Sequence, residues 1–521
     1  MTAVNRRAFL AGTAAAVAAT ATGAAALPAP AVAWSGGPAR FGPGAYVRPR
    51  PEALADPTEL TLAEAAWMIR HGKLSPAELV AAHLTRIGTF DPVYQAFNTV
   101  LAEPARAAAK AAGQRRHLGP LHGIPLAIKD NYWTAGVRTT ANSYLFQDFG
   151  PPYDATAVAR LKANGAIVLG KTQMGPLATT RATTPDGRIT TVNAWTPTDP
   201  SVDPGGSSTG TATSVAGRMA TAGTGTQTGG SITAPSNAQN LTGLKPTMGR
   251  VSLAGIIPLS YTRDHPGPLA RDAKDAAIML TAMAGEDPAD PRTQGLPAVP
   301  DLIEAATPVY SRGRLRARRN TRVGVLPGYA NTPARSAFLA ALDAIDGVRL
   351  VEVPFPDDWD RLTGTEFNNV RLPERSEPFM PYLRNDLRGF GVSVTGWLQG
   401  ALLGANEFLT GQRAKLLLLE RVLDQVFEHC DVVVQTSPVP FDILGLPEIG
   451  FPIGFTPTGV PIGTILGGAP YEEAHLLSVV AAYQAATDWH WRRPADPPAA
   501  RALTTADRGR LTAEDVAAQM Q

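Results

Sequence analysis

Cysteine is almost missing from this chain. Cys430 is the only one in 521 residues, so no disulfide can close within the chain even in an oxidising compartment. It stands in the strand-like run Cys430-Asp431-Val432-Val433-Val434, where a buried packing role outweighs that of a reactive thiol. The eight histidines show no HExxH or other ligand spacing, which argues against a metal, and no cofactor motif is read either. Net charge is small, at +2. Arg6 and Arg7 are the only charges before Trp34, so the chain from Trp34 onward carries +2 − 2 = 0. A neutral protein gives no electrostatic footing for nucleic acid or an anionic membrane surface. Nothing resembles an inter-domain linker. With 44% hydrophobic and 18% charged residues the chain reads as globular, and its length suits one large α/β domain.

What is present begins with Asn5-Arg6-Arg7-Ala8-Phe9-Leu10, an acid-free opening followed by a weakly apolar Ala/Thr/Gly/Val stretch and the small-residue pattern Ala31-Val32-Ala33. This is expected to be a twin-arginine export signal over residues 1–33, giving a secreted or periplasmic protein that starts near Trp34. Pro28, Pro30 and the low hydrophobicity of Ala and Thr argue against stable membrane insertion. A proline-rich lead (34–56), a single domain (57–495) and a C-terminal tail (496–521) complete the expected layout.

Two capping boxes, Thr61-x-x-Glu64 and Ser75-Pro76-x-Glu78, open helices with apolar stripes at Leu62, Ala65, Ala66 and Ile69, then Leu79, Val80, His83, Leu84 and Ile87. His83 on that stripe reads as a satisfied core histidine. A strand at Ile124 to Ile128, a helix from Ala155 to Ala163 closed by Asn164-Gly165, and a strand at Ala166 to Leu169 form a βαβ unit, hence parallel strands. Further strands are expected at Val323 to Leu326, Arg349 to Val353, Asp431 to Gln435, Gly450 to Phe455 and Val460 to Ile465. The region from Asp357 to Glu428 reads as a helical lobe. Gly165 to Thr172 matches the Walker A pattern letter for letter, but its four central residues are apolar and strand-forming where a phosphate cradle needs a loop.

The chemistry concentrates elsewhere. Gly205-Gly206-Ser207-Ser208 and Gly229-Gly230-Ser231 are two serine-bearing glycine turns, with Ser207 and Ser231 separated by 231 − 207 = 24 residues. Paired glycines let backbone approach a substrate closely and let successive N–H groups converge on an oxyanion. Upstream, Lys129 closes the apolar run Ile124-Pro125-Leu126-Ala127-Ile128. Amide hydrolysis needs a nucleophile, a proton carrier and oxyanion donors. No serine–histidine–acid pattern is evident, so Lys129 is the available base, provided burial lowers its pKa by roughly three units from ~10.4. Singly, Lys129 reads as a strand-end lysine, Ser231 as a helix cap and Ser207 as a turn residue. Those readings do not explain why both serines follow paired glycines.

These motifs, with Gly119 to Pro125, Lys129-Asp130-Asn131, Gly165 to Met174, Gly223 to Pro235, Gly243-Leu244-Lys245-Pro246-Thr247, Gly267 to Arg271, Gly285 to Pro288 and Gly445 to Gly463, closely resemble the amidase signature family. The resemblance implies a large mixed twisted β-sheet flanked by helices on both faces. It also implies Ser231 as the acyl-forming nucleophile, Ser207 as the bridging serine on a cis peptide and Lys129 as the base. The oxyanion hole would be built by the N–H groups of Thr228, Gly229, Gly230 and Ser231. Family members commonly carry Asp four residues before the nucleophile and Arg two after it, whereas this chain has Gln227 and Thr233. Losing one charge of a buried pair costs about 3–5 kcal/mol while replacing both is tolerated, so the two together read as a neutral substitute. Thr209 replaces a glycine usual after the two serines. The expected activity is hydrolysis of small-molecule or peptide amides, with acyl transfer, aryl, fatty-acyl or carbamate hydrolysis, or non-catalytic binding as alternatives. Substrate-lining segments are expected at Gly175 to Trp195 and after Asp357, with Asp186 and Arg188 as solvated loop residues.

Overall fold

In this computed structural model, residues 36–364, 371–498 and 508–520 are described. The expected export signal lies outside them, as do parts of the helical lobe and of the C-terminal tail. Twelve strands among the described residues join into one mixed sheet. In chain order they are β1 (Phe97–Val100), β2 (Pro125–Lys129), β3 (Ile167–Thr172), β4 (Ala222–Gln227), β5 (Thr242–Lys245) and β6 (His265–Ala270). They continue as β7 (Val309–Ser311), β8 (Arg314–Val325), β9 (Asp346–Glu352), β10 (Val432–Gln435), β11 (Glu448–Phe455) and β12 (Pro461–Gly468). Across the sheet the order is β1-β3-β2-β4-β6-β5-β11-β12-β10-β8-β7, with β9 also paired to β8.

The expected βαβ unit is present. β2 and β3 run parallel with Leu126 opposite Val168, and the helix Thr156–Ala163 connects them. On the other side β2 pairs in parallel with β4, Leu126 opposite Ala222. Every residue of β2 is buried, as expected of a parallel strand covered on both faces. Its side chains alternate: Leu126 and Ile128 join a core with the helices Ala273–Met283 and Glu473–Ala486, whereas Ala127 joins one with Pro76–Tyr94 and Thr209–Ala216. Period-two alternation thus places helices on both faces.

Both capping boxes form, with Thr61 Oγ accepting from Glu64 N–H and Ser75 Oγ from Glu78 N–H. His83 is a core residue: its Nδ1 meets the Arg218 carbonyl at 3.0 Å and its Nε2 the Thr221 hydroxyl at 3.2 Å, and burial pushes its pKa down to about 3. The Cys430 thiol is buried, donates to the Val426 carbonyl and is pushed up to about 12 by burial.

Two boundaries differ from expectation. β3 runs on to Thr172 because β1 pairs along it, Phe97 opposite Thr172. β8 starts at Arg314, since the hairpin with β7 and the pairing with β9 extend it. In the described part of the expected C-terminal tail, Leu511 N–H donates to the Gly187 carbonyl, Arg508 to the Val93 carbonyl, and Val516 is buried. No described helix is long and apolar enough to cross a membrane.

Candidate active site

Because β2 and β4 are adjacent and parallel, their carboxyl ends meet at one rim, where α/β sheets carry their ligands. Lys129 is the last residue of β2. β4 ends at Gln227, so Thr228 to Ser231 form the turn leading to the helix Thr233–Ala238. The Gly205–Ser208 turn opens the helix Thr209–Ala216 beside them. Ser208 N–H donates to the Ser231 carbonyl at 3.3 Å, which ties the two serine turns together.

Lys129 is fully buried. Its Nζ lies 2.8 Å from Ser207 Oγ, 2.9 Å from Ser208 Oγ, 2.9 Å from Thr226 Oγ1 and 3.2 Å from the Thr226 carbonyl. Burial holds the amine well below its ordinary value of 10.5, against the pull of the Asp264 carboxylate. A neutral amine keeps one lone pair, and the hydroxyls around it are groups that can donate to it. The geometry therefore lets Lys129 accept a proton from Ser207. The Gly206–Ser207 peptide is cis. Gly206 is required by contact, since a Cβ there would stand 2.6 Å from the Arg181 backbone. The first glycine pair therefore serves close packing, and the Gly205 N–H is taken by Asp203.

Ser231 is 7% exposed, and its side chain makes no hydrogen bond to the described residues. Among those residues none accepts from the N–H of Thr228, Gly229 or Ser231. Gly229 is exposed, with the Arg371 guanidinium beside it; a Cβ on Gly229 would lie 3.5 Å from Arg371 Nη1. Gly230 departs from expectation. Its φ of +93° suits glycine, but its N–H donates to Asp442 Oδ2 at 2.8 Å, so it points into the protein and is not an open oxyanion donor.

Gln227 and Thr233 do stand where a neutral pair was expected. Gln227 Oε1 accepts from Thr233 N–H at 2.9 Å and from its hydroxyl at 3.2 Å. Thr209 is fully buried and its hydroxyl accepts from Ala182 N–H. Arg188 is exposed and pairs with Asp186, as a solvated loop residue would. Sequence reasoning missed Ser208 as a Lys129 contact, although it was visible as the second serine of the motif. It also missed Asp442 and Glu448 near Gln227, whose signal is two acids in the otherwise apolar Val439 to Phe455. The Walker-like stretch is largely strand β3, and its Lys171 is fully buried, 3.4 Å from Asp130 and bonded to Thr139 Oγ1 at 2.8 Å.

A buried lysine whose pKa is lowered, set against serine hydroxyls at the rim of a mixed sheet, is an arrangement suited to amide cleavage. The Amidase family profile matches residues 78–362. An amidase of Pseudomonas putida is 35% identical over 478 residues, covering 84% of this chain and 98% of that protein. A glutamyl-tRNA(Gln) amidotransferase subunit of Roseiflexus castenholzii is likewise 35% identical over 489 residues, covering 84% and 97%. The solved peptide amidase of Stenotrophomonas maltophilia superposes with a TM-score of 0.70 at 26% identity, covering 87% of this chain and 100% of that one. The chain belongs to the Amidase family: it has the amidase signature fold and is an amidase-family hydrolase of amides.

Proposed function

We propose that the protein is an exported amidohydrolase that cleaves carboxylic amides through an acyl-enzyme on Ser231. The observation that carries this reading is the 2.8 Å contact between buried Lys129 Nζ and Ser207 Oγ, in a turn tied to that of Ser231 by the Ser208 N–H bond to the Ser231 carbonyl. Neutral Lys129 takes the proton of Ser207 as Ser207 takes that of Ser231, and Ser231 Oγ attacks the amide carbon. The oxyanion is met by the N–H groups of Gly229 and Ser231, with that of Thr228 beside them. The relay then runs backward, protonating the departing nitrogen as the C–N bond breaks. Water, deprotonated by the same relay, releases the acid and restores Ser231 Oγ–H.

For the substrate, likeness to the peptide amidase over nearly the whole chain supports short peptide C-terminal amides or other small amides. The pattern Asn5-Arg6-Arg7-Ala8-Phe9-Leu10 with Ala31-Val32-Ala33 supports export by the twin-arginine route and a secreted or periplasmic location. The glutamyl-tRNA(Gln) amidotransferase relatives favour a second reading, in which an amide is cleaved only to pass its ammonia onward. Ammonia release from a C-terminally amidated peptide is the discriminating measurement, run beside Ser231→Ala and with glutamine as competing substrate. Release from the peptide by the unmodified protein alone supports the proposal. Release from glutamine but not from the peptide favours the second reading, and full activity of Ser231→Ala removes the nucleophile assignment. Added hydroxylamine separates hydrolysis from acyl transfer by the hydroxamate formed.

A further inference from the structure

Beneath the Ser231 turn lies a polar cluster that does not touch the reacting atoms. Gln227, Lys245, Asp442 and Glu448 are each fully buried. Gln227 Oε1 accepts from the N–H groups of Ile232 and Thr233, both at 2.9 Å, and from the Thr233 hydroxyl. Gln227 Nε2 donates to Asp442 Oδ1 and Glu448 Oε2, both at 3.0 Å. The second oxygen of Asp442 takes the Gly230 N–H at 2.8 Å. The peptide units on either side of Ser231 are therefore anchored by two side chains that are bonded to each other.

The direction of these bonds is fixed. The neighbouring N–H groups demand the amide oxygen of Gln227, which turns its NH₂ toward the carboxylates. Asp442 must then accept on both oxygens. Lys245 Nζ stands 3.5 Å from Asp442 Oδ1 and 3.5 Å from Glu448 Oε2, one positive charge between two carboxyls. Burial raises the pKa of both carboxyls, and Asp442 beside Glu448 raises the latter further. Glu448 accepts from Gln227 Nε2 on one oxygen and from Gln435 Nε2, at 3.2 Å, on the other, so both carboxyls of the cluster act as acceptors. With the Gly230 N–H drawn inward, the N–H groups of Gly229 and Ser231 are left without an acceptor among the described residues.

We infer that the Gln227–Asp442 hydrogen bond is the positioning element of the nucleophile turn, setting the place of Ser231 Oγ by matching one donor to one acceptor. It rests on the reading of Ser231 as nucleophile. Neither residue touches substrate, so both act through the turn.

The test is a swap of donor and acceptor. Asp442→Asn alone sets an amide donor against the Gln227 NH₂ or leaves the Gly230 N–H without its carboxylate. Gln227→Glu alone sets a carboxylate against two carboxyls. With both changes the new carboxylate at 227 accepts from the new amide at 442, whose oxygen still takes the Gly230 N–H; one carboxylate still faces Glu448, as Asp442 does in the unmodified protein, and the charge of the cluster is unchanged. The readouts are the labelling rate constant with a fluorophosphonate and the kcat and KM of amide hydrolysis. Misplacing a reacting group costs about 100-fold, so each single variant is expected to label that much more slowly, mainly through kcat, and the double variant to return to within about 10-fold of the unmodified protein. Single variants that label at the normal rate overturn the inference. So does a double variant no faster than the slower single, or one that fails to fold. Should a single variant not fold, the double variant alone decides, by the same margin of about 10-fold. Persistent labelling of Ser231→Ala would instead remove the nucleophile reading, which distinguishes the two failures.

Discussion

At the scale of single residues, Lys129 carries the sharpest consequence, because its lowered pKa acts on both catalysis and stability. In the proposed relay turnover requires the neutral amine, so activity is expected to fall as pH drops through the lowered value, well below the ordinary 10.5. Lys129→Met should lower kcat/KM by about 100- to 10,000-fold, the range of a lost general base. Its effect on stability has the opposite sign. The unfolded chain protonates this lysine below 10.5 while the folded chain resists, so folding is penalised at neutral pH and relieved as pH rises toward 10.5. The melting temperature of Lys129→Met should therefore gain most on the unmodified protein near neutral pH, and the gap should shrink as pH rises; a gap independent of pH contradicts a neutral buried amine. Lys171 behaves differently because its partner is an acid. Lys171→Met leaves Asp130 buried without its cation and should cost about 3–5 kcal/mol in denaturant unfolding.

Elements were legible wherever the signal was local. The capping boxes at Thr61 and Ser75 rest on side chains three residues from their targets, and the first βαβ unit reads from its punctuation at Asn164-Gly165. The strands β4, β5 and β6 were not legible, although β4 leads into the Ser231 turn. Its sequence Ala222-Gly223-Thr224-Gly225-Thr226-Gln227 lacks bulky β-branched residues. The reason is tertiary, since a Cβ on Gly223 would come 2.6 Å from the Ala127 carbonyl of the neighbouring strand. The site divides in the same way: Lys129, Ser207 and Ser231 were visible as motif residues, whereas Asp442 and Glu448 lie more than 200 residues from Gln227 and meet it only through the sheet. Local caps should also be separable from chemistry. Thr61→Ala is expected to lose about 1 kcal/mol of stability while fluorophosphonate labelling keeps its rate. A slowed rate would mean that the first helix reaches the site.

For the whole molecule, the sheet and the helical lobe are packed by different cores. The rim that carries Lys129 stands on the sheet, whose two faces are packed by the large cores around Leu126, Ile128 and Ala127. The lobe helices form a separate core, in which Phe379, Leu383, Phe390 and Trp397 pack against Leu177, Ala178, Ile257 and Leu259. Trp397 is fully buried there, with its ring 4.8 Å from that of Phe379 and its indole N–H donating to Ser393 Oγ. Leu177 and Ala178 belong to the stretch expected to line the substrate, so the lobe packs on that stretch, whereas Lys129 stands on strand β2 of the sheet. Trp397→Ala opens a cavity worth about 3–5 kcal/mol in stability, and the loosening should stay within the lobe core. The expected result is a raised KM for a peptide amide with an unchanged rate of labelling by a small fluorophosphonate. A labelling rate that falls in step with kcat/KM would show instead that the lobe holds the catalytic groups themselves, because only then does the reaction lose geometry without a substrate to position.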